Sequence, residues 1–178
     1  MKRTAILALL LGSVFATPSF AALKPGDAAP DFTAKAALGG EEFSFSLANA
    51  LKKGPVVLYF FPKAFTTGCT AEAHEFAEAS ASYTAAGATL IGMSADNIDT
   101  LHKFSLQECG SKFPVAADPD LKVIKAYDSA LIRVGSVGIS ARISYVISPE
   151  GKIVYAYSDR NPDKHVENTL AAVKALKK

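Results

Sequence analysis

Cysteine is scarce in this chain of 178 residues, which contains only Cys69 and Cys109. Secreted proteins that depend on disulfide bonds for stability carry more cysteines than this, so a disulfide scaffold is excluded. Two cysteines allow either one structural disulfide or one redox-active pair. The dithiol motif Cys-x-x-Cys is also absent, because Thr-Ala-Glu follows Cys69.

Excess charge and internal repetition are lacking too. The chain has 19 basic and 17 acidic residues, and two of the basic ones, Lys2 and Arg3, lie in a segment that we expect to be removed. The remainder is balanced, so we expect neither a nucleic acid nor an anionic membrane as a partner. Without repeats or long low-complexity stretches, the chain is long enough for one domain with a full core.

A long apolar run is missing as well. Lys2 and Arg3 precede an apolar stretch at residues 5–15, which is shorter than the roughly 20 residues of a spanning helix. Small residues then lead to Ala21. This pattern predicts a secretory signal peptide over residues 1–21, cleaved after Ala21, rather than a membrane anchor. The mature chain, residues 22–178, is therefore expected in the periplasm or another exported location, with no membrane attachment.

Apolar periodicity predicts alternating strands and helices over most of the mature chain. The predicted strands cover residues 55–61, 88–95, 113–118, 142–148 and 152–158, and the predicted helices cover 69–86, 97–109, 120–127 and 162–177. A further strand is predicted to run into a helical turn over residues 41–51. This order predicts an α/β fold with a thioredoxin-like layout, in which helices cover both faces of a mixed central sheet.

The surroundings of Cys69 distinguish it from a cysteine that only fills space. It follows the end of the strand at 55–61 and stands where the helix at 69–86 begins. A helix amino terminus stabilises a thiolate through its partial positive charge and unpaired N–H groups. Thr66 or Thr67 could cap the helix, and Gly68 lets the backbone come close. The alternative is a small buried residue chosen for packing.

The segment "YFFPKAFTTGCTAEA" has the spacing P-x-x-x-T-x-x-C and resembles the active-site loop of Q-type peroxiredoxins, the bacterioferritin comigratory protein subgroup. Two other segments strengthen the resemblance. "KPGDAAPDF" at 24–32 resembles the lead-in of that family, and "RISYVISPEGKI" at 142–153 resembles its arginine-bearing strand and hairpin. The resemblance covers nearly the whole mature chain.

The resemblance implies specific roles for five residues. Cys69 corresponds to the peroxidatic cysteine, whose thiolate attacks a hydroperoxide and becomes a sulfenic acid. Thr66 and Arg142 would hydrogen-bond the thiolate and the peroxide, and Pro62 would wall the pocket. Donors placed at the developing oxyanion stabilise the transition state. Glu72 falls where many members carry a Glu or Gln that orients the arginine, unless it simply faces solvent.

Arg133 is an alternative to Arg142 as the candidate catalytic arginine. Judged without the resemblance, Arg142 is better explained as a surface charge at the start of a strand. Arg133 lies nearby in the sequence, but in a stretch that we interpret as a Gly-rich loop rather than a strand. Only the match with the Cys69 loop favours Arg142.

The chain departs from many Q-type members at the second cysteine. The position five residues after Cys69 holds His74, for which a solvated helix position is the simplest interpretation. Cys109 is the candidate resolving cysteine, at the predicted end of the helix 97–109; the alternative is a small core residue in a one-cysteine enzyme. If Cys109 resolves, we expect the two Cα atoms to lie farther apart than the roughly 7 Å that a disulfide tolerates, so local unwinding is required.

Taken together, the resemblance implies a thiol peroxidase that reduces hydrogen peroxide and organic hydroperoxides without metal, haem or flavin. Its reductant would be a thioredoxin-like protein or a small thiol, and the protein would be a monomer or a weak homodimer. Two alternatives belong to other classes: an exported thiol–disulfide oxidoreductase, and a non-catalytic thioredoxin-fold module for binding or redox sensing.

Overall fold

The computed structural model describes residues 22–134 and 137–176, apart from the side chains of 132–134 and 137. The predicted signal peptide at residues 1–21 lies outside the described residues. Along the chain the elements are β1 (Thr33–Leu38), β2 (Glu41–Ser46), α1 (Leu47–Leu51), β3 (Val56–Phe60), α2 (Thr67–Ala85), β4 (Thr89–Ser94), α3 (Ile98–Gln107), β5 (Val115–Ala117), α4 (Lys122–Ala126), β6 (Ala130–Val134), β7 (Val137–Ser140), β8 (Ile143–Ile147), β9 (Ile153–Ser158), a 3₁₀ turn (Pro162–Lys164) and α5 (His165–Ala175).

A seven-stranded sheet forms the centre, in the order β2-β1-β5-β4-β3-β8-β9. Strand β3 pairs parallel with β4 and antiparallel with β8. All of its residues are buried, and a strand covered on both faces is apolar without alternation. The predicted mixed sheet is therefore confirmed.

The side chains of β3 point alternately into two apolar clusters, one on each face of the sheet. Val56, Leu58 and Phe60 join residues of α1 and α4 in the first cluster. Val57 and Tyr59 join residues of α2, α3 and α5 in the second. Helices thus cover both faces, as predicted for the thioredoxin-like α/β fold. In the described part of the chain, no helix combines the length and the apolarity needed to cross a membrane.

Element boundaries differ from the prediction in two places that matter for the cysteines. Helix α2 begins at Thr67, two residues earlier than predicted, so Cys69 lies within the first turn. Helix α3 ends at Gln107, so Cys109 lies beyond the helix rather than at its last residue. The C-terminal helix also begins later, because Asn161 caps a 3₁₀ turn before α5.

The apolar periodicity of the sequence does not predict three of the strands, β1, β6 and β7. Strand β1 (Thr33–Leu38) is rich in Ala, a weak strand former, and gains its stability by pairing with both β2 and β5. The stretch interpreted as a Gly-rich loop instead forms the antiparallel hairpin β6–β7, in which Arg133 pairs with Gly138. The interpretation of Arg133 as a loop residue is therefore wrong, because the stretch pairs as two antiparallel strands despite its glycines.

Candidate active site

Cys69 is the third residue of α2 and is almost completely buried, with 2% of its surface exposed. Thr66 is the residue before the helix, and its backbone is extended (φ −85°, ψ 149°). The carbonyl of Thr66 accepts the first helical hydrogen bond, from Thr70 N–H, at 2.9 Å. The predicted location of Cys69 at a helix start is confirmed, and with it the favourable dipole environment.

The side chain of Thr66 does not cap the helix as expected. Its hydroxyl donates instead to the carbonyl of Lys63 at 2.9 Å, and no side-chain cap bond is formed. A threonine hydroxyl bonds nearby carbonyls as readily as helix N–H groups, so the sequence alone does not decide between them. Thr66 is exposed, and Pro62 is half-buried.

Two side chains that sequence reasoning did not identify hold this loop. The carboxylate of Asp96 accepts a hydrogen bond from Ala64 N–H at 2.8 Å, and Ser140 donates to the carbonyl of Phe61 at 2.6 Å. Between them, Phe65 adopts φ +62°, a strained conformation for a non-glycine residue of the kind that clusters at functional sites. No local motif announces Asp96 or Ser140, because both reach the loop from other elements.

Arg142 lies beside Cys69 because of strand register. Strands β3 and β8 pair so that Phe60 faces Ile143, which places Arg142 next to the loop that follows β3. Its Nη2 is 3.5 Å from Cys69 Sγ, and its Nε donates to the carbonyl of Arg160 at 2.9 Å. A Cβ on Gly68 would come within 3.1 Å of that Nη2. A glycine at 68 therefore permits the guanidinium to approach the thiol.

Glu72 is fully buried and forms an ion pair with Nη1 of Arg142. The possibility that Glu72 faces solvent is therefore wrong, because its carboxylate follows Cys69 by one helical turn and points to the same side. Burial raises the pKa of Glu72 to about 8, against the opposing effect of Arg142. The guanidinium therefore contacts both a thiol and a carboxyl group in a dry environment.

His165 extends this buried set, although nothing in the sequence assigned it a partner. It is completely buried at the start of α5. Its Nδ1 lies 2.8 Å from the hydroxyl of Ser144 and 3.7 Å from Oε1 of Glu72. Burial lowers the pKa of His165 to about 4. The only signal in the sequence is a histidine near the start of a predicted helix, which is too common to single it out.

Cys109 occupies a different environment from Cys69. Both thiols are free and buried, but the second borders apolar side chains, and burial raises the pKa of Cys109 well above its usual value. Its N–H donates to the carbonyl of Phe104 at 3.1 Å, and its carbonyl accepts from Lys112 N–H at 3.0 Å.

His74, at the position where many Q-type members carry their second cysteine, contacts the segment next to Cys109. The exposed Nε2 of His74 lies 2.9 Å from the carboxylate of Glu108. Since Glu108 immediately precedes Cys109, the contact joins the first turns of α2 to the end of α3. His74 is thus surface-exposed, as interpreted, but its ring is paired rather than simply solvated.

Comparison with known proteins agrees with this geometry. The model of the AhpC/TSA family matches residues 25–156. The chain is 33% identical over 152 residues to the chloroplastic peroxiredoxin Q of Triticum aestivum, covering 85% of this chain and 67% of that protein. It is 32% identical over 124 residues to peroxiredoxin Bcp of Xanthomonas campestris, covering 67% and 76%.

Solved structures show the same relationship. The crystal structure of peroxidoxin BcpB from Mycobacterium tuberculosis superimposes with a TM-score of 0.80 at 27% identity, covering 88% of this chain and 99% of that one. Three findings favour peroxide chemistry over thiol–disulfide exchange or a purely binding role. They are the buried cysteine at a helix start, the arginine next to its sulfur, and the family match. The chain belongs to the AhpC/TSA family and is a peroxiredoxin of the Q/Bcp type, a thiol-dependent peroxidase.

Proposed function

We propose that Cys69 is the peroxidatic cysteine and that Arg142, Thr66 and Pro62 complete the catalytic site. The observation that carries this assignment is the approach of Arg142 Nη2 to Cys69 Sγ at the amino end of α2. The thiolate is the nucleophile, and a guanidinium and a helix amino end are groups that stabilise a negative charge. Thr66 lies one turn before Cys69, with a hydroxyl that can turn toward a bound peroxide.

The reaction then proceeds by displacement on oxygen. The thiolate of Cys69 forms an S–O bond to one peroxide oxygen, the O–O bond breaks, and the second oxygen leaves as hydroxide or alkoxide, which takes up a proton. Arg142 and the free N–H groups at the start of α2 stabilise the charge on the leaving oxygen. The sulfur is oxidised to sulfenic acid, and the peroxide is reduced to water or alcohol.

Substitution of the two cysteines tests this assignment. We expect Cys69→Ser to abolish peroxide consumption in a stopped-flow assay of the reduced protein. Cys109→Ser should retain the first turnover, because it leaves the Cys69 site intact. Peroxide reduction at the parent rate by Cys69→Ser would refute the assignment of Cys69.

We further propose that Cys109 is the resolving cysteine. Its thiol would attack the sulfenic acid, forming the Cys69–Cys109 disulfide and releasing water. Cys109 is fully buried among apolar side chains, so this step requires the chain after α3 to open locally. Mass spectrometry after one equivalent of peroxide should show this disulfide in the parent and a persistent sulfenic acid in Cys109→Ser. Equal turnover of the two proteins with a dithiol-protein reductant would instead make Cys109 a bystander.

The proposal extends to location and partners. The segment 1–21 supports export to the periplasm. Cell fractionation tests this, and recovery of the protein in the cytosol with residues 1–21 still attached would contradict it. A thioredoxin-like protein or a small thiol would supply the two electrons that reduce the disulfide. We propose a monomer or a weak homodimer, to be checked by sedimentation at several protein concentrations.

A further inference from the structure

A chain of buried polar groups continues behind Arg142, away from the peroxide side of the site. Glu72 and His165 are both fully buried, and they come from α2 and the start of α5. Oε2 of Glu72 pairs with Arg142, whereas Oε1 of Glu72 lies 3.7 Å from Nδ1 of His165. Within the described residues Oε1 has no hydrogen-bond partner. A bare carboxylate oxygen in this position would be costly.

The hydrogen positions on His165 follow from its neighbours. Its Nε2 faces the backbone carbonyl of Asp159 at 3.1 Å, and a carbonyl only accepts, so Nε2 carries a hydrogen. In a neutral ring Nδ1 is then an acceptor, and the hydroxyl of Ser144 donates to it at 2.8 Å. A neutral His165 thus offers no donor to Glu72. One additional proton, on Glu72 or on Nδ1, would remove the mismatch.

The surroundings decide where this proton resides. The titratable or charged groups that face the pair are Arg142 next to β8, Glu75 on α2, Tyr157 at the end of β9, Asp159 after it, and Tyr59 on β3. Burial dominates for both members of the pair. It lowers the pKa of His165 to about 4 and raises the pKa of Glu72 to about 8, so at neutral pH the proton belongs on Glu72.

Arg142 then faces two groups that can each become an anion, the thiol of Cys69 and the carboxyl group of Glu72. A dry site holding one cation tolerates one anion far better than two. We propose that Cys69 and Glu72 share one proton and so keep a single anion beside Arg142: Cys69 becomes a thiolate as Glu72 takes up the proton. His165 is a positioning residue in this scheme, because its Nδ1 withholds a donor from Glu72.

This inference rests on the proposed role of Cys69. The proton transfers that it contains balance over the whole reaction. In the reduced protein, a thiol and a carboxylate become a thiolate and a carboxylic acid, with no change in net charge. After attack on the peroxide the thiolate is gone, the leaving alkoxide takes a proton from solvent, and Glu72 returns one to solvent. The sum is thiol plus hydroperoxide giving sulfenic acid plus alcohol.

Alkylation of Cys69 as a function of pH tests the coupling without peroxide. A Cys109→Ser background leaves one reactive thiol. We expect Glu72→Gln to lower the pH midpoint of alkylation by about one to two units, because Arg142 loses its competing carboxylate. We expect His165→Asn to raise the midpoint, since the amide can donate to Glu72 and stabilise its carboxylate. His102→Asn, a histidine on α3 outside this set, is the matched control and should leave the midpoint unchanged.

A role for these residues in merely holding Arg142 in place predicts a different result. Both Glu72→Gln and His165→Asn would then raise the midpoint, and that outcome, or no shift in Glu72→Gln, overturns the proposal. If His165→Asn does not fold, as judged by circular dichroism, the Glu72→Gln result decides. Infrared difference spectra before and after peroxide should also show a carboxylic acid signal lost on oxidation and absent from Glu72→Gln. Failure of the parent to react with peroxide would refute the peroxidatic role of Cys69. The alkylation shifts test the coupling between Cys69 and Glu72 separately, because they are measured without peroxide.

Discussion

The ion pair between Arg142 and Glu72 should have a large effect on stability, unlike pairs on the protein surface. Arg142 is 8% exposed and Glu72 is not exposed at all, so solvent does not screen the interaction. Breaking a buried pair by removing one partner typically costs about 3–5 kcal/mol, because it leaves the other charge in the interior. Replacing both partners by apolar side chains of similar size is often close to neutral.

We therefore expect Arg142→Met to lower the free energy of unfolding by about 3–5 kcal/mol. The double variant Arg142→Met/Glu72→Met should recover most of this loss. A residual of about 1 kcal/mol reflects the lost hydrogen bond from Arg142 to the carbonyl of Arg160. Water can replace that bond, because Arg160 is exposed.

Urea unfolding followed by circular dichroism measures these differences. A Cys69→Ser background leaves Glu72 as the only anion at Arg142, and a buffer of about pH 9 keeps it ionised in the parent, above its pKa of about 8. Arg160→Met is the matched control and should change stability by less than about 0.5 kcal/mol. A loss below about 1 kcal/mol in Arg142→Met, or strictly additive effects in the double variant, would refute this account of a desolvated pair.

Three further outcomes follow from single contacts. Gly92→Ala should destabilise the protein by about 1–3 kcal/mol in urea unfolding, because its Cβ would lie 2.7 Å from the ring of Tyr59; no change would mean that the ring shifts freely. Thr66→Val should keep its stability within about 1 kcal/mol of the parent but slow peroxide reduction on the order of 10²–10³-fold, and an unchanged rate would remove Thr66 from the site. The folded-state pKa of Glu72, about 8, is raised from 4.5, so the folded protein binds this proton more tightly and stability should fall as pH rises from about 4.5 to 8. Relative to the parent, Glu72→Gln should gain stability over that window, and a flat difference would contradict burial of a titrating carboxyl group.

The sequence was sufficient for the central strands and for the cysteine loop, for different reasons. Strand β3 is apolar at every position because helices cover both faces of the sheet, and this pattern is visible locally. The loop was recognised from its resemblance to a family, since spacing alone left a packing role for Cys69 open. Strand β1 was missed because its stability comes from two neighbouring strands rather than from its own residues.

The buried polar set could not be predicted from local patterns. Amphipathic periodicity assigns charged residues to the solvent side of a helix, and by that rule Glu72 points outward. Its burial depends on Arg142, 70 positions further along the chain, because a carboxylate enters a core only with a partner. His165 is likewise positioned by Ser144, 21 positions earlier. Such groups become visible only when the fold brings the elements together.

The two cysteines differ in whether their surroundings can stabilise a thiolate, and this difference sets the order of the two chemical steps. Cys69 has a guanidinium at 3.5 Å and the amino end of a helix, so its sulfur can carry a negative charge where it lies. Cys109 is buried among apolar side chains with a raised pKa, so its sulfur is a poor nucleophile until it leaves that position. Oxidation should therefore begin at Cys69. Resolution should wait for the chain after α3 to open, which is consistent with the prediction that the two Cα atoms lie beyond disulfide distance in the reduced protein.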